Sequence, residues 1–98
     1  MDIDIKGIEN IKGLVAVYLF GSAVSGRTTP LSDIDICIIG DIKDSDKIKI
    51  LKEFPESYDI SFFDELPIWI KIRVFKGKSL IIKDKDKFYD CVFRTVAN

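Results

Sequence analysis

The chain has 98 residues, 47% hydrophobic and 32% charged, with a formal net charge of −1. This size and composition suit a single folded domain rather than a disordered chain, and the charge provides no global basic field to grip a long nucleic acid. Histidine is absent altogether, which excludes Ser-His-Asp triads, His-based zinc sites and imidazole general bases.

Ile5, Ile8 and Ile11 or Lys12 predict a first amphipathic helix ending at Gly13. The apolar run Leu14-Val15-Ala16-Val17-Tyr18-Leu19-Phe20 reads as a buried strand, closed by Gly21-Ser22. A short helix is expected after Ser22, fading near Arg27, and a loop over 28–32 leads to a second strand over 33–39, ended by Gly40. Asp44 or Ser45 can cap a helix with Ile48, Leu51 and Phe54 on one face, stopped by Pro55.

Residues 58–63 read as a third strand. Asp64 suits an N-cap for a helix running to about Lys76, with Gly77 closing it. In that helix, Trp69-Ile70-Lys71-Ile72-Arg73-Val74-Phe75 is assigned to core packing, the usual fate of an apolar stripe. The sharper alternative is that Trp69 and a neighbour contact another protein. Residues 79–83 form a short fourth strand. Asp84 caps a last helix whose buried stripe is Phe88, Cys91, Val92 and Thr95 or Val96. The class is α/β. Cys37 and Cys91 lie in apolar contexts and read as reduced core residues. No signal peptide or membrane span is visible, so the expected location is the cytoplasm.

The informative stretch is Phe20-Gly21-Ser22-Ala23-Val24-Ser25-Gly26-Arg27-Thr28-Thr29-Pro30-Leu31-Ser32-Asp33-Ile34-Asp35. A Gly-Ser turn after a strand exposes backbone N–H groups where anions such as triphosphate bind. Asp33 and Asp35, at i and i+2 on a strand, point to one side. Together they can hold a hard, oxygen-seeking cation such as Mg²⁺. Residues 21–28 also approximate a phosphate-binding P-loop. Against that reading, Arg27 replaces the required lysine, and Thr29-Pro30 breaks the chain where a long helix should begin.

The spacing Gly-Ser-x10-Asp-x-Asp resembles the signature of the DNA polymerase beta-like nucleotidyltransferase superfamily, and the short chain is most similar to its minimal branch. The resemblance implies a small mixed β-sheet with helices packed on it. It also implies a third carboxylate on a neighbouring strand. Asp59 fits best, because Tyr58-Asp59-Ile60 matches the family pattern and alternates correctly with Ser61 and Phe63. Asp64 is the rival, better explained as a cap.

The implied roles follow. Asp33, Asp35 and Asp59 would hold two Mg²⁺ ions, with Asp59 also helping to remove the proton of the attacking hydroxyl. Gly21 and Ser22 would contact the phosphates of ATP. Arg27 is either a phosphate clamp or a solvated loop cation. Many family members carry a basic residue directly after Gly-Ser, where this chain has Ala23, so triphosphate affinity could be weaker or Arg27 could take over.

The resemblance further implies transfer of AMP, or another nucleoside monophosphate, from a nucleoside triphosphate to a hydroxyl. Minimal members often pair with a small helical HEPN protein, an RNase toxin, and act as its antitoxin by AMPylating a tyrosine on it. Two other roles remain open: a non-catalytic antitoxin that occludes its partner or binds nucleotide without turnover, and a subunit that forms a metabolite site only when assembled. Self-association is also left open. No long nucleic acid and no membrane is expected as a partner.

Overall fold

The structure, a computed structural model, describes residues 3–21 and 34–97. Its centre is strand β1, Leu14–Phe20, in which all seven residues are buried. A strand buried on both faces needs continuous rather than alternating hydrophobicity, which is why this run contains no charge. Strand β2, Ile34–Gly40, pairs antiparallel with β1, and strand β3, Tyr58–Phe62, pairs parallel with β2. Strand β4, Lys78–Ile82, pairs antiparallel with the other side of β1, so the sheet is mixed, in the order β3-β2-β1-β4.

The period-2 alternation of the central strands sorts their side chains into two cores. Val17 and Leu19 of β1 join Ile36 and Ile38 of β2 on one face, covered by Ile8, Ile50 and Phe54. Ala16, Tyr18 and Phe20 join Cys37 and Ile39 on the other. That second face is covered by Phe63, by Val74 of helix α2 (Ile68–Phe75) and by Phe88 of helix α3 (Lys85–Ala97). Tyr18 stacks on Phe88 with ring centroids 5.6 Å apart. Each fully buried aliphatic side chain contributes about 1.5–3 kcal/mol through removal from water, so the two layers hold the sheet from both sides.

Four features differ from the sequence expectation. Residues 6–10 and 12–13 form turns, not an amphipathic helix. The bonds Ile8 to Ile5 and Ile11 to Ile8 span three residues, and Gly7 carries a helix cost of about 1 kcal/mol. Ile8 is nonetheless buried as its spacing implied.

Helix α1, Asp44–Glu53, is in place, but its inner face is Ile50 and Phe54, while Ile48 is 55% exposed and Leu51 48%. The true stripe includes Lys47, whose ammonium sits 5.1 Å from the Phe62 ring centroid. A lysine stem can lie along apolar surface with its head in water, and that disguised the face.

Asp64 caps no α-helix. It lies in the 3-10 turn Phe63–Glu65, and α2 begins after Pro67 with no side-chain cap. Within α2, Val74 is buried, but Trp69 is 65% exposed, so the core assignment fails for Trp69.

Two expected helix ends are in place. The backbone N–H of Gly77 closes α2 on the Val74 carbonyl at 2.9 Å. Asp84 caps α3, its Oδ1 accepting from the Lys87 N–H at 3.1 Å. Among the described residues no helix is long and apolar enough to cross a membrane.

Both cysteines are free thiols. Burial, with smaller contributions from Cys91 and Asp64, pushes the Cys37 thiol from 9.0 up to about 12. In the unfolded chain the thiol ionises first as pH rises. The stability contributed by keeping it neutral is therefore complete below about pH 9 and is lost between about pH 9 and 12, at up to ~1.4 kcal/mol per pH unit. Between about pH 8 and 10.5, denaturant melts should show wild type losing roughly 2 kcal/mol more than Cys37→Ala. Parallel losses would mean that the buried thiol does not govern alkaline stability.

Candidate active site

β1, β2 and β3 converge at one end of the sheet. In the register of the three strands, Phe20 lies opposite Asp35, and Asp35 lies opposite Asp59. Parallel register partners on adjacent strands project to the same face, with strands about 4.8 Å apart. Asp35 shares its parity with Cys37 and Ile39, and Asp59 is opposite in parity to Tyr58 and Ile60, which pack on the other core. The two carboxylates therefore stand side by side on the face that carries α2 and α3, at its open end. Asp35 is half-buried and Asp59 exposed. Beside Asp59 opens a hollow of about 230 Å³, lined also by Glu56, Ser57 and Tyr58.

Gly21 follows β1 directly, with φ +79, a left-handed conformation that glycine adopts without strain. It abuts the same cluster. A Cβ at Gly21 would overlap Asp35 Oδ2 and lie 3.2 Å from Asp35 Cγ. Gly21 and Asp59 thus both lie beside Asp35. Ser22, Arg27 and Asp33 lie outside the described residues, as does the helix expected after Ser22.

The rival carboxylate is elsewhere. Asp64 follows the far end of β3 and lines a hollow of about 290 Å³ with Lys71, Cys91 and Arg94. The register separates it from Asp35, whereas Asp59 is the direct strand partner. The capping role expected for Asp64 is absent, since α2 begins after Pro67, while the strand register places Asp59 beside Asp35.

The donor set fits a hard divalent cation. Both groups are carboxylates, and Mg²⁺ is commonly held by one or two carboxylates together with substrate phosphates. Among the described residues no cluster of three or more His, Cys, Asp or Glu side chains could hold a metal. The described part of the site thus supplies a pair, Asp35 and Asp59.

Comparison with known proteins identifies the family and the fold. Residues 4–87 match the family described as Polymerase beta, Nucleotidyltransferase. The chain belongs to that family. A protein of Methanocaldococcus jannaschii, provisionally named a protein adenylyltransferase, is 36% identical over 69 residues, covering 70% of this chain and 56% of the relative. The chain thus spans little more than half the length of that curated relative.

Two solved structures share the fold. One is a toxin–antitoxin with AMP-PNP, at TM-score 0.71 and 23% identity, covering 91% of this chain and 77% of that one. The other is the toxin–antitoxin MntA-HpeT with two Asp-to-Glu substitutions at positions two apart, at TM-score 0.65 and 20% identity, covering 91% and 76%. The small mixed sheet with helices packed on it is therefore a nucleotidyltransferase fold.

If Asp35 and Asp59 form the cation site, Mg²⁺ or Mn²⁺ should raise the melting temperature of wild type and not that of the Asp35→Asn, Asp59→Asn double variant. Asp64→Asn should respond to the metal as wild type does. Equal shifts in wild type and the double variant would remove the pair from the site.

Proposed function

We propose that the chain is a Mg²⁺-dependent nucleotidyltransferase that moves AMP from ATP to a hydroxyl on a partner protein. The single observation that carries this reading is the strand register that sets Asp59 beside Asp35 next to Gly21. It is supported by the family match, by the relative's name, and by the fold shared with a toxin–antitoxin that carries an ATP analogue. The paired substitutions in the second solved structure have the same spacing as Asp33 and Asp35.

The acceptor hydroxyl attacks the α-phosphorus, the bond from that phosphorus to the α,β-bridging oxygen breaks, and the β- and γ-phosphates leave together as pyrophosphate. Asp59, exposed and beside an open hollow, is the side chain an incoming acceptor reaches first, and it takes or orients the hydroxyl proton. Asp35, with Asp33, is assigned to the nucleotide side. Gly21 and Ser22 bring backbone N–H groups toward phosphate oxygens, and Arg27 is a candidate fork for them. Two Mg²⁺ ions held by Asp33, Asp35 and Asp59 would supply charge neutralisation for the triphosphate and the leaving group.

The partner is proposed to be a HEPN-type toxin and the acceptor one of its tyrosines, which makes this chain an antitoxin acting in the cytoplasm. The exposed Trp69, with Ile68 and Ile72 beside it, is compatible with a protein-facing surface.

Asp59→Asn should keep ATP affinity near wild type and lower AMP transfer to the partner by a factor of about 10² or more. The paired measurement is transfer of label from α-labelled ATP and growth rescue of cells expressing the partner. Loss of both supports catalysis as the antitoxin activity. Loss of transfer with full rescue indicates neutralisation by occlusion. Full transfer removes Asp59 from catalysis.

A further inference from the structure

We propose that Gly21 is a positioning residue for the Asp35 carboxylate: its missing side chain is the space in which that carboxylate is held. The usual physical reason for glycine in such a turn is to let ligand phosphates approach the backbone, and the sequence alone suggests no other. The structure assigns the space differently. The direction in which a Cβ would leave Gly21 points into Asp35, overlapping Oδ2, with Cγ at 3.2 Å and Cβ at 3.5 Å. A phosphate cannot occupy the space that the carboxylate already fills.

The strand register makes the contact hard to relieve through the backbone. Gly21 is tied to β1 through Phe20, which pairs with Asp35. Asp35 is fixed on its other side by pairing with Asp59. Phe20 is buried, and so is Ile36, which follows Asp35. Neither chain can retreat without breaking the ladder. The compliant part is the Asp35 side chain, which can rotate about χ1 and χ2. A methyl at Gly21 strains this turn, whose φ is +79, and presses on the Asp35 carboxylate, which yields by swinging out of line with Asp59. Loss of alignment, rather than loss of fold, is the consequence.

This inference rests on the reading that Asp35 and Asp59 hold the cation, and the experiment separates the two. Mn²⁺ affinity is measured on the full chain without nucleotide, by calorimetry or from the signal of free Mn²⁺ in electron paramagnetic resonance. The variants are Gly21→Ala, Asp35→Asn and a semisynthetic Gly21→D-Ala. The D-residue favours positive φ and carries its methyl at the other α-hydrogen position, not at the one that overlaps Asp35 Oδ2. Gly21→Ala should weaken Mn²⁺ binding by roughly 10–100-fold, the scale of losing a partner that orients a metal ligand. Gly21→D-Ala should stay within about twofold of wild type, because it orients Asp35 as glycine does.

Wild-type affinity in Gly21→Ala, or equal losses in both Gly21 variants, overturns the positioning role while leaving the cation site standing. Wild-type affinity in Asp35→Asn overturns the cation reading and this proposal with it. Should Gly21→Ala fail to fold, Gly21→Asn, whose backbone tolerates positive φ, presents the same Cβ to Asp35 and takes its place in the comparison.

Discussion

The alignment of Phe20, Asp35 and Asp59 across three strands depends on β1 and β2 keeping one register. A slip of one residue between them would turn every side chain of β2 to the opposite face. Ile36 and Ile38, both buried, would exchange sides with Cys37 and Ile39. Asp35 would move from the open end of one layer into the apolar layer formed with Val17, Leu19 and Ile50. An unpaired carboxylate there costs several kcal/mol. The same hydrophobic pattern that builds the core therefore fixes the site, and no separate interaction is needed to bring the two carboxylates together.

The placement has a chemical consequence. Asp35 and Asp59 differ in exposure although they are strand partners, because β2 is interior to the sheet and β3 is its edge. The inner group is sheltered by neighbours on both sides, and the outer one opens to solvent beside the hollow at Glu56 and Ser57. An in-line displacement needs one group on the nucleotide and another on the acceptor side. On the proposed function, the edge position of β3 would provide that asymmetry. The far end of the same face, with Asp64, Cys91 and Arg94, has a different character. There the Cys91 thiol is pushed up by burial and by Asp64, and pulled back in part by Arg94 and Lys71.

The surface retains a considerable apolar content. Ile68, Trp69 and Ile72 on α2, and Tyr89, Phe93 and Val96 on α3, are exposed. On α3 these three residues recur at i, i+4 and i+7, a stripe beside the buried Phe88 and the half-buried Val92 rather than an extension of theirs. Helical spacing alone cannot say which of two apolar stripes meets the sheet, since both repeat with the same period. The choice is made by the sheet, whose Tyr18 stacks on Phe88 and edges against Phe75.

Much of the molecule was legible in the chain because its signals are local. The seven-residue run of β1 needs no context to be read as a buried strand, and the Gly-Ser to Asp-x-Asp spacing marks the chemistry in one stretch. Alternation was enough to separate Asp59 from its neighbours. Asp84 as a cap and Gly77 as a helix end follow from backbone rules that hold wherever they occur. What the chain could not decide was orientation. Lys47 belongs to the inner stripe of α1 only because Phe62 lies under it. The turns around Ile8 stand in for a helix because burial of one isoleucine outweighs the weak propensity of a stretch containing Gly7. Asp64 has neighbours that permit a cap, yet α2 starts four residues beyond it, at Ile68 after Pro67. The space beside Gly21 is filled by a residue fourteen positions later, and only the pairing of β1 with β2 puts it there. Local sequence sets which residues can form strands, turns and ligands; packing between elements distant in the chain sets which way they face.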